Sequence, residues 1–161
     1  MISTKHSSVF DKISTLLLKE KLALVDCLNL VCESLKTEME AYDWVGFYFS
    51  DFESKTLHLK AFSGAPTEHT CIPFGKGICG QVALSNQNFV VPDVSQQENY
   101  IACSMDVRSE LVVPLFLNQK NIGQIDIDSK TPNPFSSEDE QLLERVCHLI
   151  SKTYGASLLK L

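Results

Sequence analysis

Leu111-Val112-Val113-Pro114-Leu115-Phe116-Leu117, then Asn118-Gln119-Lys120, then Asn121-Ile122-Gly123-Gln124-Ile125-Asp126-Ile127-Asp128: two β-prone runs separated by a short polar connection read as two joined strands. Side chains alternate between the faces of a strand that rises about 3.3 Å per residue. Asp126 and Asp128 therefore share one face about 7 Å apart, while Ile125 and Ile127 point to the other. The isoleucines belong to a core. The carboxylates are either solvated surface or a site that holds an ammonium group or a proton, and Glu110, entering the adjacent strand, can add a third. If the three share a pocket, mutual repulsion raises at least one pKa and yields a proton donor near neutral pH.

Working outward, Trp44 to Phe49 and Thr56 to Phe62 read as a hairpin across the polar residues 50–55, and Asn88 to Val91 as a brief strand. Apolar residues Leu24, Leu28, Val31 and Leu35 recur at steps of three and four, which predicts an amphipathic helix from Lys21 to Met39. A shorter helix is expected over Val9 to Leu18. Ser137-Glu138-Asp139-Glu140 has the form of a capping box that starts a last helix running to about Tyr154. Between them, Ile72 to Gly80 carries Gly75, Gly77 and Gly80 and leads into a short helix, Gln81 to Leu84, so backbone there can approach a ligand closely. Pro92 to Val107 is a long irregular connection of the kind that carries function in compact domains. This order lacks the βα alternation of a parallel sheet. It predicts an α+β fold, with N- and C-terminal helices packed on one face of an antiparallel sheet and a ligand pocket on the other.

The chain has 161 residues, 44% hydrophobic and 21% charged, which fits a single domain over 1–161 with one core. Leu16-Leu17-Leu18 is followed at once by Lys19, Glu20 and Lys21, too short for a leader or a span, so the expectation is a cytoplasmic protein with no membrane partner. A net charge of −6 with dispersed acidic residues offers no basic stripe to nucleic acid. Of the six cysteines, most are expected to stay thiols in a reducing compartment. Cys27, Cys32 and Cys147 lie on the expected helices and read as inert core thiols. Cys103 lies in the long connection, off any regular period, which favours reactivity; carboxylates nearby would raise its pKa, so a dipole or a substrate cation has to compensate. Cys71 and Cys79 bracket the glycine-rich stretch, with His69 just before. Reading His69, Cys71, Cys79 and Cys103 as metal ligands finds no C-x-x-C or H-E-x-x-H support, and no P-loop pattern is present, so neither metal nor cofactor is expected. Trp44 and Tyr48 share a strand face, as core or as an aromatic wall.

These residues carry a resemblance. Asp43-Trp44-Val45-Gly46-Phe47-Tyr48, Ile72-Pro73-Phe74-Gly75-Lys76-Gly77-Ile78-Cys79-Gly80, Ile101-Ala102-Cys103, Ser109 to Leu115, Ile122 to Ser129 and Phe135 to Glu140 resemble, in order, the signatures of GAF-domain free methionine-R-sulfoxide reductases. The resemblance covers about residues 40 to 155, with residues 1–39 supplying N-terminal helices. It implies a GAF fold and reduction of free methionine-R-sulfoxide by a thiol. Cys103 matches the nucleophile, Glu110, Asp126 and Asp128 the substrate-binding carboxylates with a protonated carboxyl assisting departure of the oxygen, and Trp44 and Tyr48 the wall beside the substrate methyl. A sulfenic acid on Cys103 would be captured by a second thiol and the disulfide reduced by a thioredoxin-like partner. The family habit also suggests a homodimer through the N-terminal helices.

One departure stands out. The family usually places its resolving cysteine three residues before the Ile-Pro that opens the glycine loop, and His69 occupies that position here. Cys71, Cys79 or an external thiol could resolve. We expect Cys71, on the reading that the segment between Pro66 and the loop is flexible and that Cys79 is held by a helix start. A GAF sensor that binds a small molecule without turnover is the alternative function, since the fold hosts many ligands.

Overall fold

The computed structural model describes residues 3–19, 22–100 and 106–161. Its elements run α1 (Thr4–Lys19), α2 (Leu24–Glu38), β1 (Trp44–Asp51), β2 (Thr56–Ser63), β3 (Cys71–Pro73), α3 (Gly77–Ser85), β4 (Phe89–Val91), β5 (Ser109–Leu117), β6 (Lys120–Ser129) and α4 (Ser137–Tyr154). The strands form one antiparallel sheet in the order β3-β2-β1-β6-β5-β4. Asn118 and Gln119, both with positive φ, make the two-residue turn between β5 and β6, so Leu117 pairs directly with Lys120.

Alternation divides the sheet. Val45, Phe47, Phe49, Leu111, Val113, Leu115, Ile125 and Ile127 are buried against α1, α2 and α4, in one cluster with Leu28, Leu35, Leu142 and Ile150. Tyr48, Leu57, Ile72, Val91 and Val112 lie on the opposite face under α3, in a second cluster with Ile78 and Val82. The expected α+β layering is therefore observed. Cys27, Cys32 and Cys147 fall in the helix-side core, as their helical positions imply, and burial pushes each thiol pKa up. Among the described residues, no helix is long and apolar enough to cross a membrane.

Four details differ from expectation. The first helix starts at Thr4, and the glycine loop opens the short helix at Gly77, a turn earlier than its apolar residues suggest. Residues 71–73 form β3, an edge strand, where a flexible approach is expected: Leu57 pairs with Ile72 and His58 with Cys71. The N-cap of α4 is Ser136, one residue before the sequence reading, and its partner is Asp139. Asp139 Oδ2 accepts from the Ser136 amide at 2.8 Å and its hydroxyl at 3.2 Å. Its Oδ1 accepts from the buried Tyr42 hydroxyl at 2.7 Å and lies 3.1 Å from His6 Nε2.

One carboxylate thus caps α4 and joins it to α1 and to the segment entering β1. Asp139→Ala removes a cap and strands a buried hydroxyl, and we expect it to cost about 2–4 kcal/mol in urea denaturation. Ser136→Ala, which keeps the Tyr42 bond, should cost about 1 kcal/mol.

Candidate functional site

The register of the central strands gathers the polar residues. In antiparallel pairs the residues directly opposite one another project to the same face. Asp128 lies opposite Trp44 on β1 and Glu110 on β5; Asp126 lies opposite Gly46 and Val112; Gln124 lies opposite Tyr48 and Pro114. All three acidic residues are buried, none more than 3% exposed. They face the α3 side, because Ile125 and Ile127 have committed the odd-numbered positions of β6 to the helix side. The solvated-surface reading of the two aspartates is excluded.

Gly46 sits between Trp44 and Tyr48 on the same face, and the indole lies across it: a Cβ there would come within 2.3 Å of the ring. The indole Nε1 donates to the Ala65 carbonyl at 3.0 Å, and the ring stacks on Phe62 at 5.8 Å. The ring centroids of Trp44 and Tyr48 are 6.5 Å apart, and the Tyr48 hydroxyl donates to the His69 carbonyl at 2.8 Å. The two rings form an aromatic wall held at both polar ends. A cavity of about 530 Å³ opens at the rim beside Trp44, Gly64, Val107 and Asp128, a size that suits a small molecule.

From the other side, α3 brings Cys79 down onto the carboxylates. Cys79 is buried, its Sγ donates toward Glu110 Oε1 at 3.8 Å, and single ligand atoms of Cys79, Glu110 and Asp126 lie within 4.8 Å of one another. Burial, then the charge of Asp126, then that of Asp128 hold the Glu110 pKa well above the usual carboxylate value, against a smaller opposing effect of the Cys79 thiol. Burial also raises Asp126, whose contacts with Glu110 and Cys79 work in the opposite direction. The contact between the two carboxyls becomes a hydrogen bond once one of them holds a proton, and Glu110 is the one pushed furthest toward keeping it. Burial and mutual charge thus bias the cluster toward holding a proton, on Glu110 first.

Two supporting residues escaped the sequence reading. Gln124 Nε2 donates to the Cys79 carbonyl at 3.1 Å and so fixes the start of α3 on β6; its place on the face of Asp126 was available from the same alternation. Asn99 accepts from the Gly77 amide at 2.9 Å and donates to the Gly75 carbonyl at 2.8 Å, clamping the glycine loop. No local pattern announces such a clamp. Cys71 is placed apart from the cluster: it pairs with His58, whose neighbour on β1 is Phe49, so its side chain lies on the face opposite Ile72 and the carboxylates, and it is exposed. Its expected position on a flexible approach to the pocket is corrected. Cys103 lies outside the described residues. The flanking Tyr100 packs on the Trp44 and Tyr48 cluster, and Val107 lines the rim cavity.

Comparison with known proteins follows this geometry. The GAF domain family model matches residues 23–154. The free methionine-R-sulfoxide reductase of Saccharomyces cerevisiae is 36% identical over 132 residues, covering 81% of this chain and 73% of that protein. The protein of the same name from Escherichia coli is 38% identical over 117 residues, 71% of this chain and 68% of that one. The crystal structure of free methionine-R-sulfoxide reductase from Neisseria meningitidis in complex with its substrate superposes with a TM-score of 0.87 at 35% identity, covering 97% of this chain and 92% of that one.

The raised Glu110 pKa has a thermodynamic signature. Above the ordinary carboxyl value of 4.5 the native chain keeps a proton here that the unfolded chain releases, so this group's contribution to stability is full below that pH and is lost as pH rises through the folded pKa. Glu110→Gln cannot ionise. Its thermal midpoint relative to wild type is therefore expected to rise as pH increases above the ordinary carboxyl value of 4.5 in matched calorimetric scans. A pH-independent difference would mean that Glu110 ionises freely in the folded protein.

Proposed function

The chain belongs to the GAF-domain family of free methionine-R-sulfoxide reductases, and we propose that it reduces free L-methionine (R)-S-oxide to L-methionine by a thiol mechanism. The observation that carries the reading is Glu110, buried and biased toward its protonated form between Asp126 and Asp128 on an aromatic-walled face. A sulfoxide oxygen leaves sulfur only as it gains a proton, and an acid with a pKa lifted by its surroundings supplies one near neutral pH. The Cys103 thiolate attacks the sulfoxide sulfur, the oxygen is protonated and ends on the Cys103 sulfur as a sulfenic acid, and methionine leaves with the sulfur electron pair. The remaining negative charge of Asp126 and Asp128 holds the free ammonium group, which a peptide-bound methionine lacks. Trp44 and Tyr48 receive the apolar methyl. The described residues that flank the Cys103 segment belong to this face: Tyr100 packs on the aromatic cluster and Val107 lines the rim cavity.

The next step joins Cys103 to a second thiol with loss of water. What supports Cys79 in that role is its burial against Glu110 and Asp126, whereas Cys71 points off the opposite face of an edge strand. A dithiol reductant of thioredoxin type then regenerates both thiols by exchange. That partner implies a reducing, cytoplasmic setting. A homodimer through α1 and α2 completes the reading, with Leu18 and Val25 as exposed apolar residues on those helices.

The test follows methionine released from the free R-sulfoxide. With dithiothreitol, wild type turns over, Cys103→Ser does not, and Glu110→Gln retains its fold while losing about 10²-fold in kcat. Activity persisting in Cys103→Ser would overturn the assignment of the nucleophile. With thioredoxin as sole reductant, Cys79→Ser is expected to stop after about one methionine per site, its sulfenic acid unresolved, and Cys71→Ser to turn over normally. The reverse pattern would return the resolving role to Cys71.

A further inference from the structure

We propose that Cys79, Glu110 and Asp126 form a binding site for a thiophilic divalent cation of the Zn²⁺ class. Three separate observations meet at this point. The donor set is one thiol and two carboxyls, all buried, with one ligand atom from each within 4.8 Å of the others. Zinc accepts sulfur at about 2.3 Å and carboxylate oxygen at about 2.1 Å, which in tetrahedral geometry separates the two by about 3.6 Å. Cys79 Sγ and Glu110 Oε1 are 3.8 Å apart, close to that span.

The second observation is a charge satisfied only from within the cluster. Asp126 is fully buried, and its hydrogen-bond interactions among the described residues are with the Glu110 carboxyl and the Cys79 thiol. A cation that displaces those protons meets the same need. The third is space of the right size. A void of about 10 Å³ is walled by Cys79, Glu110 and Asp126 together with Ile72, Ile78 and the Lys76–Gly77 turn. That is room for a single small atom, at the lower limit for a water. The cluster thus joins a one-atom void to three convergent ligand groups, and the wider rim cavity lies elsewhere along β6.

Chemistry selects the class of ion. A thiolate beside two carboxylates is too soft for Mg²⁺ or Ca²⁺, which take oxygen-only shells, and is an ordinary partner set for Zn²⁺ or Co²⁺. Deprotonated, the three ligands carry three negative charges. Lys76 contributes to the wall of the void but is an exposed residue at the N-cap of α3. Three ligands leave a fourth coordination position open. The ion site stands apart from the reductase reading; the consequence that an ion here blocks turnover, by taking Glu110 and Cys79 out of the reaction, rests on it.

The experiment uses the full reduced chain and Co²⁺ under anaerobic conditions, with no substrate present, so that its outcome is independent of enzyme activity. Titration is expected to reach one ion per chain with a thiolate-to-cobalt charge-transfer band in the near ultraviolet, and added Zn²⁺ should bleach it. Cys79→Ser should lose the band, and Cys71→Ser and Cys103→Ser should keep it. Loss of an outer-shell partner already costs about 10–100-fold in metal affinity, so Asp126→Asn, which removes a direct ligand, should weaken cobalt binding at least as much. Circular dichroism establishes that each variant is folded. Failure to saturate, a band that survives in folded Cys79→Ser, a band lost in Cys103→Ser, or unchanged affinity in folded Asp126→Asn would each overturn the proposal.

Discussion

The period-two alternation of β6 ties the core to the site. Ile125 and Ile127 are fully buried on the helix side, where each contributes roughly 1.5–3 kcal/mol relative to exposure. Their commitment sends Gln124, Asp126 and Asp128 to the opposite face, beneath α3 and beside β1 and β5. A register slip by one residue would exchange the two sets, placing carboxylates in an apolar core and isoleucines under the glycine loop. The same apolar contacts that stabilise the sheet therefore hold an unfavourable group of acids in place. Full ionisation of three buried carboxyls would cost several kcal/mol per charge, and the raised Glu110 pKa lessens that cost by favouring its protonated form.

Small residues set how closely the wall approaches this cluster. With hydrogen at position 46, the Trp44 indole can lie over the strand directly opposite Asp126. Any side chain at 46 would lift the ring toward the space a ligand needs. The anchoring bonds of Trp44 to Ala65 and of Tyr48 to His69 run to two points on the connection between β2 and β3, so that connection and the wall position each other. Overpacking of this kind usually costs about 1–3 kcal/mol, but here its larger effect would fall on the geometry of the wall.

Much of this was legible in the sequence because it follows from local periodicity. Asp126 and Asp128 announce a shared face, and Leu24, Leu28, Val31 and Leu35 announce a helix, whatever the rest of the chain does. The α4 start was read one residue late because Ser136 and Ser137 both precede acidic residues, and only the three-dimensional demand of the Tyr42 hydroxyl selects Asp139 as the partner that fixes Ser136 as N-cap. β3 was missed because three residues ending in Pro73 have almost no intrinsic strand signal; they are extended because β2 offers an unpaired edge. Asn99 is the extreme case. It is 22 residues from the amide it caps, and nothing in its neighbourhood distinguishes it from any other loop asparagine.

The fate of Cys71 turns on that same edge strand. Two residues separate it from position 69, where the family usually carries its resolving thiol, and in an extended chain two residues preserve the face but not the freedom. His69 precedes the ladder; Thr70 accepts from the Leu59 amide at 2.9 Å, and Cys71 is paired with His58. Bringing the Cys71 sulfur to the carboxylate face would require β3 to peel from β2 and rotate, withdrawing Ile72 from the cluster under α3. Each ladder hydrogen bond surrendered costs about 1 kcal/mol, and the exposure of a buried isoleucine adds about 2 kcal/mol. Cys79 has the opposite balance. It already lies against Glu110 and Asp126, and the elements it would have to strain are the first residues of a nine-residue helix whose N-cap has no side-chain hydrogen bond. Opening that first turn gives up the Asn99 bond to the Gly77 amide and the Gln124 bond to the Cys79 carbonyl, whereas moving Cys71 gives up ladder bonds and also exposes Ile72.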